Sequence, residues 1–271
     1  MKKPNKNSLI TKFTKTATLV VAIALGTVQL QKLWAATAPS LGLAGSIFAP
    51  NFSVLGAETV TNTGPTIVVG NLGVSPGTAV TGFPPGTVTG GVIHAADAAA
   101  ANAKAQALIA YTDLQSRACT MSLTGQDLGG LTLKPGVYCF SSSAQLTGTV
   151  TLDGNASSVF IFKIGSTLTT ASASSVVLKN GARDCRVFWQ IGSSATLGTR
   201  TRFAGNIIAL TSITLTTGAE VFGKALALNG AVTLDSNNVS PGTCSGSDRV
   251  PCKKEVKKCA MPKKDCKHGH R

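Results

Sequence analysis

A Thr-Leu pair followed by two small residues recurs along the second half of the chain. It stands at Thr132-Leu133, Thr151-Leu152, Thr167-Leu168-Thr169-Thr170, Thr196-Leu197-Gly198-Thr199, Thr214-Leu215-Thr216-Thr217 and Thr233-Leu234-Asp235-Ser236. Successive starts lie 19, 16, 29, 18 and 19 residues apart. Self-similarity at such a period marks a solenoid, in which each coil adds one rung to every face and only the stack buries a continuous core. The leucines of the repeat then build the core and the threonines build a surface.

Side chains alternate across a strand, so parity sorts the residues around each pair. Val150, Leu152, Leu168, Ile213, Leu215, Val232 and Leu234 take the inward parity. The outward set is Thr149, Thr151, Thr167, Thr169, Ser194, Thr196, Ser212, Thr214, Thr216, Ala231 and Thr233, and Thr59 and Thr61 in Thr59-Val60-Thr61-Asn62 look like a further copy. Stacked coil on coil, these form a rank of small residues with Asp153 and Asp235 at its margins. Threonine is a good strand former, so alternation alone leaves a purely structural account open. Propensity does not, however, require the near absence of Lys, Glu and Arg, which an ordinary solvated sheet face carries.

A second set of segments aligns differently: 159–164, 186–191, 205–210 and 223–228. Phe162, Ile164, Trp189, Ile191, Ile208, Leu210, Leu226 and Leu228 share one parity and are expected to face the core. Ile161, Phe188, Ile207, Ala209, Ala225 and Ala227, of opposite parity, are also apolar, and a strand apolar on both faces is buried on both. Its outer cover is at hand. Residues 93–117 are rich in Ala and free of Gly and Pro, which predicts a helix, with Asp97 near its start and Arg117 near its end suiting the helix dipole. About 23 residues of helix span roughly 34 Å, close to the height of a stack of coils roughly 4.8 Å apart. The helix is therefore expected to lie lengthwise along the doubly apolar face, with His94 at its entrance rather than in a site.

The formal charge of +14 suggests a polyanion partner until it is placed along the chain. Residues 1–40 hold six lysines and no acid, residues 244–271 hold nine basic and three acidic residues, and the stretch between holds ten basic and eight acidic ones. A nearly neutral body is poorly suited to tracking a phosphate backbone, so no nucleic-acid partner is expected. Residues 1–38 read as a secretory signal: Lys2 to Lys15, the short apolar run Ala17–Val28, then small residues at Ala35, Ala36 and Ala38. The run is too short for a confident membrane span, and export would let disulfides persist. The organisation is thus a signal (1–38), a solenoid with its helix 93–117 (39–243), and a basic, Cys-rich tail (244–271) read as solvated and able to contact an anionic surface. Composition agrees with a thin, repetitive core: 43% hydrophobic but 5% aromatic, with 29 glycines.

The stretches AETVTNTGPTIVVGNLGVSPGTAVTGFPPG, DLGGLTLKPGVYCFSSSAQLTGTVTLDG, FIFKIGSTLTTAS, VFWQIGSSATLGT and FAGNIIALTSITLTTGAEVFGKALALNGAVTLDSN closely resemble the microbial ice-binding protein family, over about residues 41–239. The resemblance implies a mostly β fold, a discontinuous right-handed parallel β-solenoid of about 18–19 residues per coil with one long α-helix along one face. It also implies secretion, a monomer whose partner is the ice crystal surface, and neither cofactor nor catalysis. Because members differ in which residues meet ice, the family does not fix the site here. Parity favours the Thr-Leu face, with Thr196, Thr214 and Thr233 in mid-rank.

Seven cysteines leave at least one free or intermolecular. Cys119 and Cys139 bracket the segment after the helix and form one candidate pair, Cys185 and Cys244 another. Cys252, Cys259, Cys266, His268 and His270 lack the spacing of a zinc site, so no metal is expected. The rival from another class is a polysaccharide-processing enzyme, which would want clustered carboxylates; the body's eight acids are scattered. A secreted adhesin or polysaccharide-binding protein, its Thr face meeting a polymer, is the other alternative.

Overall fold

The computed structural model describes residues 51–242. The expected signal 1–38, the tail 244–271 and Cys244 lie outside the described residues.

The described chain is a parallel β-solenoid with three sheets as its sides and one helix laid along one of them. The helix-side sheet has nine strands, stacked in the order Ile93–Ala95, Asn71–Val74, Phe52–Gly56, Ala225–Ala227, Asn206–Ala209, Val187–Ile191, Phe160–Ile164, Gly136–Phe140 and Met121–Ser122. The second sheet has seven: Ala144–Leu146, Leu168–Thr170, Ala195–Leu197, Ile213–Leu215, Val232–Asp235, Thr59–Thr63 and Ala79–Thr81. The third has eight, from Thr87–Thr89 through Ile67–Val69, Asn238–Ser240, Glu220–Phe222, Arg202–Ala204, Ser175–Lys179 and Thr149–Asp153 to Thr132–Leu133.

Stacking order departs from chain order at one seam. Val54 pairs with Ala225, Val60 with Val232 and Val68 with Val239, so the first coil in sequence rests on the last. The strands after it continue upward to Ile93–Ala95, and the helix then carries the chain to the opposite end, where Met121 begins the stack that climbs back. That return path is what the helix is for. It is shorter than expected, Ala98–Ser116, because residues 93–95 are recruited as an edge strand beside Leu72–Val74. Asp97 caps it, accepting the Ala100 N–H at 2.8 Å and lying 2.6 Å from His94 Nδ1. Those contacts hold its carboxyl below the usual range. His94 thus stands at the helix entrance, and Arg117 caps the far end over Asp113 at 2.7 Å.

The helix buries Ala100, Ala103, Ala107, Ala110, Tyr111 and Leu114 against Phe52, Leu55, Ile161, Phe188, Ile208 and Leu226. Alanines every three or four residues let the helix axis approach the sheet, and the sheet supplies the bulk. This corrects the parity expected for the last two coils. Trp189 pairs with Ile207 and Ile207 with Ala225, so Ile207, Ala209, Ala225 and Ala227 face the core while Ile208, Leu210, Leu226 and Leu228 face the helix. The alignment slips by one because Gly205 (φ 118°) turns the chain without a loop residue; a Cβ there would sit 2.8 Å from Trp189 Nε1. The core stack of Tyr138, Phe162 and Trp189, with ring centroids 5.5 and 3.8 Å apart, then ends on Phe203 from the third sheet.

Coil length also varies. From Thr196 to Thr214 to Thr233 successive rungs are 18 and 19 residues apart, but Thr169 to Thr196 spans 27. The surplus sits at the corner between third and helix-side sheets, in residues 180–186. Cys119 and Cys139 are disulfide-bonded and fasten the helix exit to the first long strand, closing a separation of 20 residues. Cys185 is also disulfide-bonded.

Candidate functional site

The helix covers the helix-side sheet and leaves the second and third open; the second is the one whose outward residues keep a single chemical character. Its register is continuous: Gln145 pairs with Thr169, Thr169 with Thr196, Thr196 with Thr214, Thr214 with Thr233, Thr233 with Thr61 and Thr61 with Thr81. Beneath them the inward residues Leu146, Leu168, Leu197, Ile213, Leu215, Val232, Leu234 and Val60 are fully buried. Six threonines therefore stand side by side on six neighbouring strands, about 4.8 Å apart, with Gln145 ending the row. Their hydroxyls are almost all unspent. Among the described residues Thr61 to Thr233 at 3.5 Å is the one hydrogen bond within the row, and Thr81, Thr169, Thr196 and Thr214 make none.

The outward residues two positions earlier form a flanking rank with a different role. Thr167 donates to Ser143 at 2.8 Å, Ser194 accepts the Ser212 N–H and Ser212 accepts the Ala231 N–H, both at 3.3 Å. Ser194 and Ser212 thus give part of their capacity to the corner backbone, while Ala231 and Thr59 continue the rank without such bonds. On the other flank Thr216 turns its hydroxyl inward onto the Leu197 carbonyl at 2.8 Å. The sheet thus gathers Thr59, Thr61, Thr169, Thr196, Thr214 and Thr233 on its strands, with Thr167, Ser194, Ser212 and Ala231 one residue before theirs and Thr216 just past the end of its own.

Thr149 and Thr151 are not among them. Both lie on the third sheet, where Thr149 pairs with Ser175 and Thr151 pairs with Thr132 and Val177. The rung that parity assigned to them is filled by Ala144–Leu146, and Gly148 (φ 82°) turns the corner before Thr149. Only the spacing of 16, from Thr151 to Thr167, marks this change of side; both ends of the 29 lie at the second sheet. The third face is chemically mixed: Arg202 pairs with Glu220 at 3.3 Å and lies over the Phe222 ring, and Lys134 pairs with Asp153 at 2.8 Å. Conversely, Thr81 belongs to the row although the repeat did not contain it. The match of Ala79-Val80-Thr81 to Thr59-Val60-Thr61 is the signal that finds it.

No group of three or more His, Cys, Asp and Glu residues is arranged to hold a metal ion among the described residues, and none of the described helices is long and apolar enough to cross a membrane. Asp127 is spent on the Gly129 and Thr147 N–H groups, and Asp153 on Lys134 and Asn180.

Residues 54–240 match the family model described as Ice-binding-like. The chain belongs to that family. An ice-binding protein from Nostoc sp. (strain HG1) is 55% identical over 229 residues, covering 83% of this chain and 82% of the relative. One from a Colwellia species is 33% identical over 76% of this chain and 85% of its own length. Among solved structures, an ice binding protein from an Antarctic biological consortium superposes with a TM-score of 0.71 at 44% identity, covering 76% of this chain and 92% of that one. The ice-binding protein of the ascomycete Antarctomyces psychrotrophicus gives 0.69 at 41% identity, over 72% and 96%. Membership in the Ice-binding-like family agrees with the architecture, a mostly β solenoid with parallel sheets and one long helix.

Proposed function

We propose that this chain adsorbs to ice through the second sheet and so inhibits ice growth and recrystallisation. What supports this is the row Thr169, Thr196, Thr214, Thr233, Thr61 and Thr81, whose hydroxyls are almost free of protein partners. Each hydroxyl offers one donor and two acceptors, so it enters a water lattice in either sense, while the methyl beside it orders neighbouring water. The strands beneath are rigid before contact, so little conformational entropy is lost on adsorption. The face binds a lattice rather than transforming a substrate, and no catalytic step is assigned. The protein works as an exported monomer after loss of the segment 1–38, and its basic tail from 244 onward holds it near anionic surfaces.

The test is single-crystal growth in dilute purified protein. Ice crystals are expected to take on facets and stop growing between the melting and freezing points. Growth as unmodified discs would overturn the ice assignment and leave polymer adhesion as the face's function.

A further inference from the structure

We infer that a line of Ser, Thr and Asn side chains, buried or half-buried behind one margin of the second sheet, positions the threonine row for ice; this rests on the ice-binding function proposed above. Most strands of this sheet are only three residues long, so the backbone ladder alone fixes each rung with few bonds. At the corner where these strands turn toward the third sheet, every junction between neighbours carries a side-chain clamp. Ser174 Oγ donates to the Leu146 carbonyl at 2.9 Å, tying the Gln145 and Thr169 strands. Between the Thr169 and Thr196 strands, the Gly198 N–H donates to Thr170 Oγ1 at 2.8 Å. Thr170 in turn meets Thr201 Oγ1 at 2.8 Å, and Thr201 donates to the Ala171 carbonyl at 3.2 Å. Thr216 on Leu197 joins the Thr196 and Thr214 strands. Asn237 joins those of Thr214 and Thr233: its Nδ2 donates to the Thr216 carbonyl at 2.9 Å, and its Oδ1 accepts the Asp235 N–H at 2.7 Å. Thr66 Oγ1 accepts the Asn237 N–H at 3.0 Å across the seam between first and last coils, and Asn62 Nδ2 donates to the Gly82 carbonyl at 2.7 Å between the Thr61 and Thr81 strands.

Ser174, Thr201 and Thr66 are 0% exposed and Asn237 is 3% exposed, so none of them touches ice. They are positioning residues. Ice is rigid and periodic and cannot follow a rung that tilts out of plane, whereas a protein partner would adjust; tolerance for misplaced groups is accordingly small. A buried hydroxyl facing a backbone carbonyl or N–H holds each rung at a fixed height above the core, and its removal leaves that backbone group unsatisfied and free to re-aim.

The experiment compares thermal hysteresis and melting temperature in the full chain carrying Thr201→Val, Thr66→Val, Thr201→Ser, Thr214→Tyr or Ile161→Val. Near the freezing point all are checked for folding by circular dichroism. The two buried valines, isosteric with threonine, are expected to lose more than half of the hysteresis, with Thr201→Ser restoring it. Ile161→Val, on the helix side, is expected to lower the melting temperature yet keep full hysteresis. Thr66→Val supplies the measurement if Thr201→Val does not fold. Full hysteresis in the folded Val variants while Thr214→Tyr is inactive would overturn positioning and leave the face intact. Full hysteresis in Thr214→Tyr would instead place the ice contact elsewhere, and positioning would fall with it.

Discussion

The second and third sheets meet at one corner, have nearly the same number of strands and both carry Thr-Leu pairs, yet their outer surfaces differ in kind. On the second, outward threonines fall in one row from Thr169 to Thr233, and the N-terminal coils add Thr61 and Thr81. On the third, the equivalent rows run Thr149, Ser175, Arg202, Glu220, Asn238 and Ile67, and Thr132, Thr151, Val177, Ala204 and Phe222. Both surfaces rest on equally buried apolar residues, Val150 and Leu152 on one side and Leu168 and Leu215 on the other. A solenoid core therefore asks the same thing of every side, and only the outward parity is free to specialise. The row without charge or aromatic bulk is the specialised one.

The difference is most directly broken by bulk. Thr214→Tyr, at the centre of the second sheet, is expected to abolish most thermal hysteresis by holding the flanking threonines off the lattice, with an unchanged circular dichroism spectrum. The paired substitution Thr151→Tyr on the third sheet is expected to leave hysteresis at its wild-type value, and a comparable loss there would erase the distinction between the faces. Stability and face chemistry separate next. Loss of the Cys119–Cys139 bond by double replacement with Ser removes the closure of a 20-residue separation and is expected to cost about 2–4 kcal/mol in thermal unfolding. Because that bond lies at the helix exit, hysteresis per folded molecule should not change. A smaller, opposite effect is expected from Gln145→Thr, which lengthens the threonine row by one rung and should raise hysteresis modestly in a dose series against the parent chain.

The faintest contrast is with pH. The central row contains only Thr and Gln, so hysteresis is expected to stay level across the acid range in which the chain remains folded. On the third face, hydrogen bonds from Lys134 and Asn180 hold the Asp153 carboxyl below its ordinary pKa. A folded pKa below the unfolded one adds stability that is complete above the unfolded value and is lost as pH falls through the folded one. Melting curves should show that loss, and Asp153→Asn should flatten it. At alkaline pH the sign reverses in origin but not in direction: burial lowers Lys224 to about 8, so the unfolded chain holds more protons from there up to the usual lysine value. Stability then rises with pH over that window, and Lys224→Met should remove the rise.

Much of this was legible beforehand for a definite reason. Alternation of Leu with Thr, and a run from 98 to 116 with neither Gly nor Pro, are local signals that no tertiary contact had to create. The inward residues Leu152, Leu168, Leu215 and Leu234 and the helix cover over Ile161 and Phe188 followed from them. The side of the solenoid on which a strand lands is not local. Thr151 stands between Val150 and Leu152 much as Thr214 stands between Ile213 and Leu215, and only the turn at Gly148 and the prior occupation of the rung by Ala144–Leu146 sent it, with Thr149, to the third sheet. The one-residue slip at Gly205 is of the same kind, because a strand apolar on both faces gives no parity cue to correct it.

By itself, then, the sequence determined that the chain would stack β coils under an alanine-rich helix and show a surface of small hydroxylated residues, since periodicity and propensity act over a few residues at a time. Only the tertiary structure decided which threonines stand together. The first coil docks on the last, adding Thr61 and Thr81 to a row that otherwise begins at Thr169, and the corners set by Gly148 and Gly205 assign each later strand its side. Register between strands distant in sequence is fixed by the packing of the whole stack, and a flat face exists only once that packing is complete.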